Sequence, residues 1–421
     1  MHNGKYKILI LCDNPVGISG VALQANYLIN HLIATGKYTF RVFGGAIKHE
    51  RYDTIAVNPD YLVKPVDVFG TKEQLRNVLL TEKPDALILF NDPRFFLWIW
   101  EMADEIRQIC PIGYWHVWDN DPAPFFNRVL YESTDLINCL SHKTYEMVKE
   151  VYPEGNINYI PHALPEDIFF PLPTEQVFKA KEELLGLSRV DHFVCSWVNR
   201  NANRKKAIDL MWSWKLFLDK LEAKHNHRRA TLILHTDIYP HSVEREGYNL
   251  MYASNSFNLT ENVKFSTQKI QLDQMNVLCN ISDCGVNISS NEGFGLNPLE
   301  MLYCGKPIVA LKTGGLTRQV VDHRDGTIYG VALEPAARTF IGGGSVPYIY
   351  ADHVKHEDVA DGFMTLFEMK PNDRKALGLK AREYALEEFG MKKMIEVWDA
   401  TLCDTIEKWQ TKKPIWSLKA L

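Results

Sequence analysis

Residues 289–315 read SSNEGFGLNPLEMLYCGKPIVALKTGG, and this stretch decides the fold more than any other part of the chain. It follows the apolar run CGVNI (284–288), which is typical of a strand buried in a parallel sheet. Gly293 and Gly295 then predict a tight turn into a helix, and the apolar run PIVAL predicts the next strand. The stretch is therefore a strand–helix–strand unit with a glycine-rich turn after its first strand.

Outward from this unit, short apolar runs alternate with helical patterns along the whole chain. The predicted strands of the first half are KILILC (7–12), FRVFG (40–44), DALILF (85–90), IGYWHVW (112–118) and LINCL (136–140). In the second half, FVCSWV (193–198) and TLILH (231–235) precede the glycine-rich unit. Such alternation indicates βαβ units around parallel sheets. We therefore predict an α/β fold with two Rossmann-like, doubly wound domains that face each other across a cleft.

Breaks in this alternation suggest where the domains divide. A proline-containing stretch, 161–173, predicts a linker, so we place the first domain at 1–170 and the second at 171–395. The segment 326–352, which includes GGGSVPYIYAD, fits neither periodicity and is predicted to be a loop insertion. The end of the chain, 396–421, again has a helical pattern.

Composition limits the class of protein. A chain of 421 residues is long enough for two domains, and its net charge of −5 provides no overall basic field for nucleic acid. The eight cysteines are scattered without a CxxC motif, which favours reduced thiols in a cytosolic protein. No apolar stretch approaches the ~18 residues of a membrane helix, and the first residues do not resemble a signal peptide. We expect a soluble, cytoplasmic protein with no membrane insertion.

The glycine-rich unit carries two carboxylates with seven residues between them, Glu292 in the loop and Glu300 in the helix. A glycine-rich turn that leads into a helix presents free N–H groups to an anion. Glu300 could accept hydrogen bonds from ribose hydroxyls and Glu292 from sugar hydroxyls. The alternative is a plain strand–turn–helix with two solvated glutamates.

A basic segment, NRNANRKKA (199–207), follows the strand FVCSWV. Arg200 and Lys205 are placed to meet two phosphates, and their charge would stabilise a leaving diphosphate. Arg204 and Lys206 are expected to face solvent. The alternative is that the whole segment is a solvated helix start.

The first strand leads into DNPVGISGVAL, in which Gly17 and Gly20 form a GxxG pattern. A GxGxxG dinucleotide fingerprint is therefore absent. Glycines in this loop would let the backbone approach a donor phosphate or sugar closely, although a tight turn explains them equally well.

The predicted strand IGYWHVW contains His116 near its end, and two aspartates, Asp119 and Asp121, follow it. His116 could face a reacting sugar, or it could be a structural histidine satisfied inside the fold. Asp119 and Asp121 mimic a DxD metal motif, but a diphosphate would already meet Arg200, Lys205 and a helix terminus. We therefore predict no metal site. The motifs GxxxxGK[ST], HExxH and GxSxG are absent, which argues against an ATPase, a metalloprotease and a serine hydrolase.

These residues resemble family 4 of the GT-B glycosyltransferases. NEGFGLNPLEMLYCGKPIVALKTGG is similar to the family signature EGFGLxxLEAMxxGxPVVAxxxGG, including its EX7E pair, here Glu292 and Glu300. NRNANRK resembles the GRxxxxKG segment, and YIPHALPEDIFFP resembles the interdomain stretch IPNGVDxxxFxP. In this sequence Ser19 and Ala163 replace glycines of the family pattern.

The resemblance implies a retaining, metal-independent transferase with no cofactor, which uses a UDP-sugar as co-substrate. The donor-binding residues that it implies are Gly17, Ser19, Gly20, Arg200, Lys205, Glu292, Gly293, Phe294, Gly295, Leu296 and Glu300. Among them, Arg200, Lys205 and backbone N–H groups of residues 294–296 would bind phosphates. His116 would assist near the anomeric centre without acting as a nucleophile. The last helix, 396–421, would cross back onto the first domain.

A narrower resemblance concerns the acceptor. Residues 91–133 and GGGSVPYIYAD are similar to a subgroup of these enzymes from large tailed bacteriophages, which implies location in the host cytoplasm. Modified DNA, for example with 5-hydroxymethylcytosine, is then one acceptor, and glycans, lipids or proteins are others. Basic residues could form a patch for DNA or simply a solvated face: Arg128, Lys143, Lys149, Lys412, Lys413 and Lys419.

Two other functions fit the same sequence features. A UDP-sugar 2-epimerase shares the two-domain architecture and binds the same kind of nucleotide. A non-catalytic nucleotide-sugar sensor or DNA-binding accessory protein would bind the ligand without transfer. The signature around Glu292 together with the Arg200 and Lys205 spacing favours the transferase.

Overall fold

The structure, a computed structural model, describes residues 4–17, 19–239 and 247–411. The chain divides into two compact units. Unit 1 contains the residues up to Ala163, the segment Gly342–Pro347 and the residues from Lys392 onward. Unit 2 contains Leu164–Ile341 and Tyr348–Met391. The division after Ala163 falls inside the stretch that the sequence suggested as a linker.

Unit 1 is built on one eight-stranded sheet. Its strands are β1 (Tyr6–Asp13), β2 (Tyr38–Gly45), β3 (Ile55–Asn58), β4 (Tyr61–Pro65), β5 (Ala86–Asn91), β6 (Ile112–His116), β7 (Leu136–Cys139) and β8 (Ile157–Tyr159). Their order is β3-β4-β2-β1-β5-β6-β7-β8, and all neighbours are parallel except β3 and β4. The chain runs outward from β1 on one side and then from β5 on the other. The topological switch therefore lies between β1 and β5, where such sheets bind ligands.

Six helices between residues 20 and 151 accompany this sheet. They are α1 (Gly20–Ala34), α2 (Lys72–Glu82), α3 (Leu97–Trp100), α4 (Ala103–Ile106), α5 (Arg128–Glu132) and α6 (His142–Val151). In α1, the buried residues Ala25, Leu28, Ile29 and Leu32 repeat at helical spacing and form its core-facing stripe. The predicted helix after the first strand is confirmed.

Unit 2 is built on a six-stranded parallel sheet and a separate hairpin. Its strands are β9 (Phe193–Val198), β10 (Ala230–His235), β11 (Val263–Ser266), β12 (Cys284–Asn287), β13 (Ile308–Leu311), β14 (Gly330–Leu333), β15 (Ala337–Ile341) and β16 (Ile349–His353). The order β11-β10-β9-β12-β13-β14 places the topological switch between β9 and β12. The apolar run of β9 is buried almost throughout, as a central parallel strand requires.

The helices of unit 2 cover this sheet. They are α7 (Thr174–Leu185), α8 (Ala207–His225), α9 (Leu250–Ser256), α10 (Leu272–Ile281), α11 (Leu296–Tyr303), α12 (Leu316–Val320), α13 (His356–Glu368) and α14 (Pro371–Glu388). In α8, the buried side chains of Leu210, Trp214, Phe217 and Leu221 face the core. The two sheets with their helices confirm the predicted α/β class.

The prediction of a loop insertion over 326–352 was wrong. β14 pairs with β13 at the edge of the main sheet, and β15 and β16 form an antiparallel hairpin. All five residues of β15 are exposed, so the segment shows no alternation of apolar and polar residues. β15 is formed by backbone hydrogen bonds to β16. Because none of its residues is buried, its sequence has no apolar pattern from which a strand could be predicted.

The last helix described, α15 (Met391–Thr411), packs in unit 1. The Trp398 ring meets Trp115 edge-on at 5.1 Å between centroids, and Tyr38 Oη donates to Asp399 Oδ1 at 2.6 Å. None of the helices in the described part of the chain is long and apolar enough to cross a membrane. All eight cysteines are free thiols, and seven are buried.

Candidate active site

The segments that follow β9 and β12 meet at the carboxyl edge of the unit 2 sheet, because these two strands are neighbours. The first segment carries Arg200 and Lys205, and the second carries Glu292 and the glycine-rich turn. Two hydrogen bonds hold the segments together: Ser290 N donates to Arg204 O at 2.8 Å, and the Arg204 side chain donates through Nη1 to Asn291 O at 3.1 Å. The topological switch of the sheet thus brings together motifs far apart in sequence.

At this junction, Lys205 Nζ donates to Glu292 Oε2 in a buried ion pair. Asn287 Nδ2 lies 3.5 Å and Ser289 Oγ 3.4 Å from the same carboxylate oxygen. Burial alone would raise the pKa of Glu292, but the charges of Lys205 and Arg204 lower it below its usual value. Glu292 is therefore ionised at neutral pH, and its charge is balanced by Lys205.

The basic segment differs from the prediction at Arg204 and Lys206, which are both half-buried. Arg204 is half-buried and donates to the carbonyl of Asn291, so the expectation that it faces solvent was wrong. Arg200 is exposed, and no carboxylate among the described residues forms a salt bridge with it. At this edge Lys205 is buried and paired with a carboxylate, whereas Arg200 is exposed.

The glycine-rich turn lies directly before α11. Gly295 has φ 91°, a backbone conformation that favours glycine, and a Cβ there would lie 2.5 Å from Leu316 Cδ2, so the Leu316 side chain would have to move. A Cβ on Gly315, the residue before α12, would lie 2.5 Å from Gly293 O. The backbone at Gly315 is therefore in direct contact with the glycine-rich turn. No side chain caps α11, which leaves its first N–H groups to an anion.

Glu300 lies in α11 and is half-buried. Burial raises its pKa to about 7, although Asn297 Nδ2 donates to Glu300 Oε2 at 3.0 Å and opposes the shift. Glu300 therefore changes charge near neutral pH, whereas Glu292 does not.

In unit 1, a polar cluster lies at the topological switch between β1 and β5. Ser19 Oγ donates to Asp13 Oδ2 at 2.6 Å and accepts from Ala22 N at 3.0 Å, which caps α1. Asn91 Nδ2 donates to Asp13 Oδ1 at 2.6 Å, and burial raises the pKa of Asp13 against both hydrogen bonds. Sequence reasoning missed Asp13 and Asn91. The signal was a polar residue directly after an apolar strand run at the switch point.

The other glycines singled out in unit 1 border this cluster. A Cβ on Gly17 would lie 2.9 Å from Asn14 O, which is tighter than real Cβ contacts. Gly20 is the first residue of α1, directly after the capping Ser19. The GxxG pattern therefore shapes the turn between β1 and α1.

His116 is the last residue of β6 and is completely buried. Its Nε2 lies 2.7 Å from Tyr131 Oη, and its ring stacks on Tyr114 with 4.5 Å between centroids. Burial lowers the pKa of His116 to about 3, so the imidazole is neutral at physiological pH. The structure places His116 inside an aromatic cluster of unit 1.

The acidic and basic residues considered for a metal or for DNA pair with neighbours. Asp121 forms an ion pair with Lys143 at 2.7 Å, and Arg128 Nε donates to Glu132 at 2.7 Å. Lys149 Nζ donates to Pro153 O at 2.8 Å. Over the described ranges, no three His, Cys, Asp or Glu residues form a group that could hold a metal ion. The remaining lysines of the suggested patch, Lys412, Lys413 and Lys419, lie outside the described residues.

Comparison with known proteins begins with a family match. Residues 244–337, which include Glu292, the glycine-rich turn and Glu300, match the family model described as Glycosyl transferases group 1. No curated protein matches the chain at a significant level of sequence similarity.

Solved structures resemble the chain over nearly its whole length. HepE from Anabaena in complex with UDP-glucose has a TM-score of 0.67 at 16% identity, covering 94% of this chain and 99% of that one. Sucrose-phosphate synthase from Thermosynechococcus elongatus has a TM-score of 0.70 at 14% identity, covering 96% and 98%. The chain has the GT-B fold. A UDP-forming trehalose-phosphate synthase from Burkholderia vietnamiensis has a TM-score of 0.67 at 11% identity, covering 97% and 100%. The family match and this fold together support a glycosyltransferase.

Proposed function

We propose that this GT-B protein is a retaining glycosyltransferase that transfers a sugar from a UDP-sugar without a metal ion or a cofactor. The observation that carries the proposal is the buried Lys205–Glu292 pair beside the uncapped start of α11. This arrangement combines a cation and free N–H groups for a diphosphate with a carboxylate for sugar hydroxyls. The name of the HepE structure, which contains UDP-glucose, supports this class of donor.

The donor would lie along the carboxyl edge of the unit 2 sheet. Its diphosphate would meet Arg200, Lys205 and the N–H groups of residues 294–296, and its ribose would bind Glu300. Positive charge at these positions would stabilise the diphosphate as it leaves, which is the largest electrostatic change of the reaction. Because Arg200 and Lys205 supply this charge, we propose that no metal ion is needed.

In the proposed site, Glu292 would bind the sugar of the donor. Among the described residues, the three side chains that contact its carboxylate all reach Oε2, which leaves Oε1 to accept from a sugar hydroxyl. When the diphosphate binds, Lys205 would donate to a phosphate oxygen as well as to Glu292. We propose that Glu292 thereby couples recognition of the sugar to recognition of the diphosphate.

In unit 1, we propose that Gly17, Ser19 and Gly20 form the donor-side loop and that His116 assists near the anomeric centre. The neutral state of His116 excludes a role as a cation at neutral pH. Its hydrogen bond to Tyr131 orients the ring. A nucleophilic role is not part of the proposal, and retention would arise from attack on the face that the diphosphate leaves.

For the acceptor, we propose 5-hydroxymethylcytosine in DNA, on the sequence similarity to the bacteriophage subgroup. Glycans, lipids and proteins are the alternatives. The ion pairs of Arg128 and Lys143 reduce the charge that these two residues could offer to DNA. The proposal for the acceptor therefore rests on sequence similarity alone.

A transfer assay separates these possibilities. The enzyme is incubated with a panel of UDP-sugars and either 5-hydroxymethylcytosine DNA or unmodified DNA, and the nucleosides are analysed by mass spectrometry. A mass gain on the modified base alone supports the DNA acceptor, and NMR of the product shows whether the anomeric configuration is retained. Release of UDP with no gain on either DNA rejects the DNA acceptor and keeps the transferase. A free epimerised UDP-sugar without any acceptor would instead indicate an epimerase.

A further inference from the structure

The side chain of Gln319 forms hydrogen bonds with the backbone of the glycine-rich turn. It lies in α12 and is completely buried. Its side-chain amide nitrogen Nε2 donates to two consecutive carbonyls of the turn, Phe294 O at 2.8 Å and Gly295 O at 3.0 Å. A single amide therefore fixes the orientation of two neighbouring peptide planes.

These two peptide planes carry the N–H groups at the start of α11. In a trans peptide, the C=O and the N–H point in opposite directions. Both peptides are trans, because the one cis peptide among the described residues is Asp121–Pro122. With the carbonyls of Phe294 and Gly295 turned toward Gln319, the N–H groups of Gly295 and Leu296 point away from it. These are N–H groups that the proposed donor site assigns to the diphosphate.

The turn needs such an external anchor. Glycine populates positive and negative φ with similar ease, so Gly295 gives the peptide planes freedom to rotate. A second hydrogen bond, from Gly315 N to Glu292 O at 2.9 Å, holds the residue at which the turn begins. The segment 315–319 thus fastens the turn at three carbonyls.

We propose that Gln319 is a positioning residue for the donor diphosphate. It does not touch the donor, but it aims the N–H groups of Gly295 and Leu296 at the phosphates. This inference rests on the proposed function, since it needs a diphosphate at the start of α11. Preorganised N–H groups bind an anion without first reorienting, so loss of the anchor weakens phosphate binding in particular.

A purely structural role is the competing explanation, and Asn262 provides a matched control. Asn262 is also buried, and its Nδ2 donates to two carbonyls, Arg228 O and Ala230 O, both at 2.8 Å. These contacts lie at the amino end of β10, the opposite edge of the sheet from the donor site. Gln319→Met and Asn262→Leu therefore each remove an equivalent amide with little change in shape.

The experiment measures binding of UDP and of uridine to the full-length protein by calorimetry. We expect Gln319→Met to weaken UDP binding by about tenfold or more and to leave uridine binding within about twofold, because uridine has no phosphates. Asn262→Leu should change neither affinity by more than about twofold. Thermal unfolding of both variants measures how much stability each amide contributes.

A second variant keeps the test valid if Gln319→Met folds poorly. In Gln319→Glu, a carboxylate would face two carbonyls at neutral pH, whereas the protonated acid can donate to one of them. The ratio of variant to wild-type UDP affinity should therefore rise as the pH is lowered. Unchanged UDP binding in Gln319→Met, or equal losses for UDP and uridine, would overturn the positioning role and leave the proposed function standing. Failure of the wild-type protein to bind UDP would overturn both.

Discussion

Lys205 and Glu292 form a buried ion pair inside unit 2, so removal of Lys205 takes a charged donor away from a buried carboxylate. We expect Lys205→Met to lower the free energy of unfolding by about 3–5 kcal/mol, the usual cost of breaking a buried pair from one side. Urea denaturation measures this loss. Lys206→Met is the control, because the neighbouring Lys206 forms no salt bridge with a described carboxylate. Equal stabilities of the two variants would show that the pair does not stabilise the fold.

Glu300 gives the second prediction for single residues, a pH dependence of nucleotide binding. Its pKa of about 7 means that it becomes protonated as the pH falls below neutrality, and a protonated carboxyl is a weaker acceptor for ribose hydroxyls. We expect UDP affinity to fall between pH 8 and pH 6 in the wild type. In Glu300→Gln the affinity should be lower and should vary less over this range. Calorimetry at both pH values tests this, and an unchanged slope in the variant would contradict it.

Ionised Glu300 is expected to favour UDP binding but to lower the stability of the fold. The pKa of Glu300 is raised above its ordinary value of 4.5, so the folded chain holds this proton over a range in which the unfolded chain has lost it. The contribution of Glu300 to the free energy of unfolding therefore falls as the pH rises from about 4.5 to about 7. Glu300→Gln should stabilise the protein at pH 8 by on the order of 3 kcal/mol. Such a gain in stability with a loss of binding is typical of functional sites.

Among the elements, the hairpin β15–β16 depends on an ion pair. Arg338 Nε donates at 2.6 Å to Asp352 Oδ1, whose side chain is fully buried, and Asp352 N donates to Ser290 O at 2.7 Å. We expect Arg338→Ala to cost about 1–3 kcal/mol, because a buried carboxylate loses a charged partner. Hydrogen exchange over residues 337–353 should accelerate. Lys312→Ala is the control, since its partner Glu334 is mostly exposed and the pair should contribute less than about 1 kcal/mol.

The elements also show what the sequence could predict. The runs FVCSWV and TLILH match β9 and β10 because central parallel strands are buried on both faces and read as continuous apolar stretches. β15 and the edge strand β3 were missed, because their residues are largely exposed and carry no burial pattern. An exposed strand is formed by backbone hydrogen bonds, whose N–H and C=O groups are common to all residues except proline, which lacks the N–H.

Those parts of the candidate site whose residues are close together in the sequence could be predicted. Glu292, Glu300 and the glycines lie within nine residues, so their spacing could be interpreted along the chain. The ion pair between Lys205 and Glu292 joins residues 87 positions apart, and only the order of the strands reveals it. Gln319 is one of three consecutive polar residues in α12, and its role depends on contacts that no spacing along the chain indicates.

At the scale of the whole molecule, α15, the last helix of the described chain, packs in unit 1. Trp398 in α15 is almost completely buried and packs on Trp115. We expect Trp398→Ala to destabilise unit 1 by about 3–5 kcal/mol, the usual cost of removing a buried tryptophan. Hydrogen exchange should increase in peptides from β6 and β7. Lys392→Ala, at a residue whose side chain is 90% exposed, is the control and should leave this exchange unchanged.

The central claim is that the carboxyl edge of the unit 2 sheet binds a UDP-sugar and promotes its transfer. The most direct measurement is the rate of UDP release from a panel of UDP-sugars by the wild type, Glu292→Gln and Glu334→Gln. Glu334 is 72% exposed and serves as the matched glutamate control. We predict release from at least one donor by the wild type, a loss of about 100-fold or more in Glu292→Gln, and no change in Glu334→Gln. Full activity of Glu292→Gln, or no release of UDP from any donor by the wild type, would contradict this account.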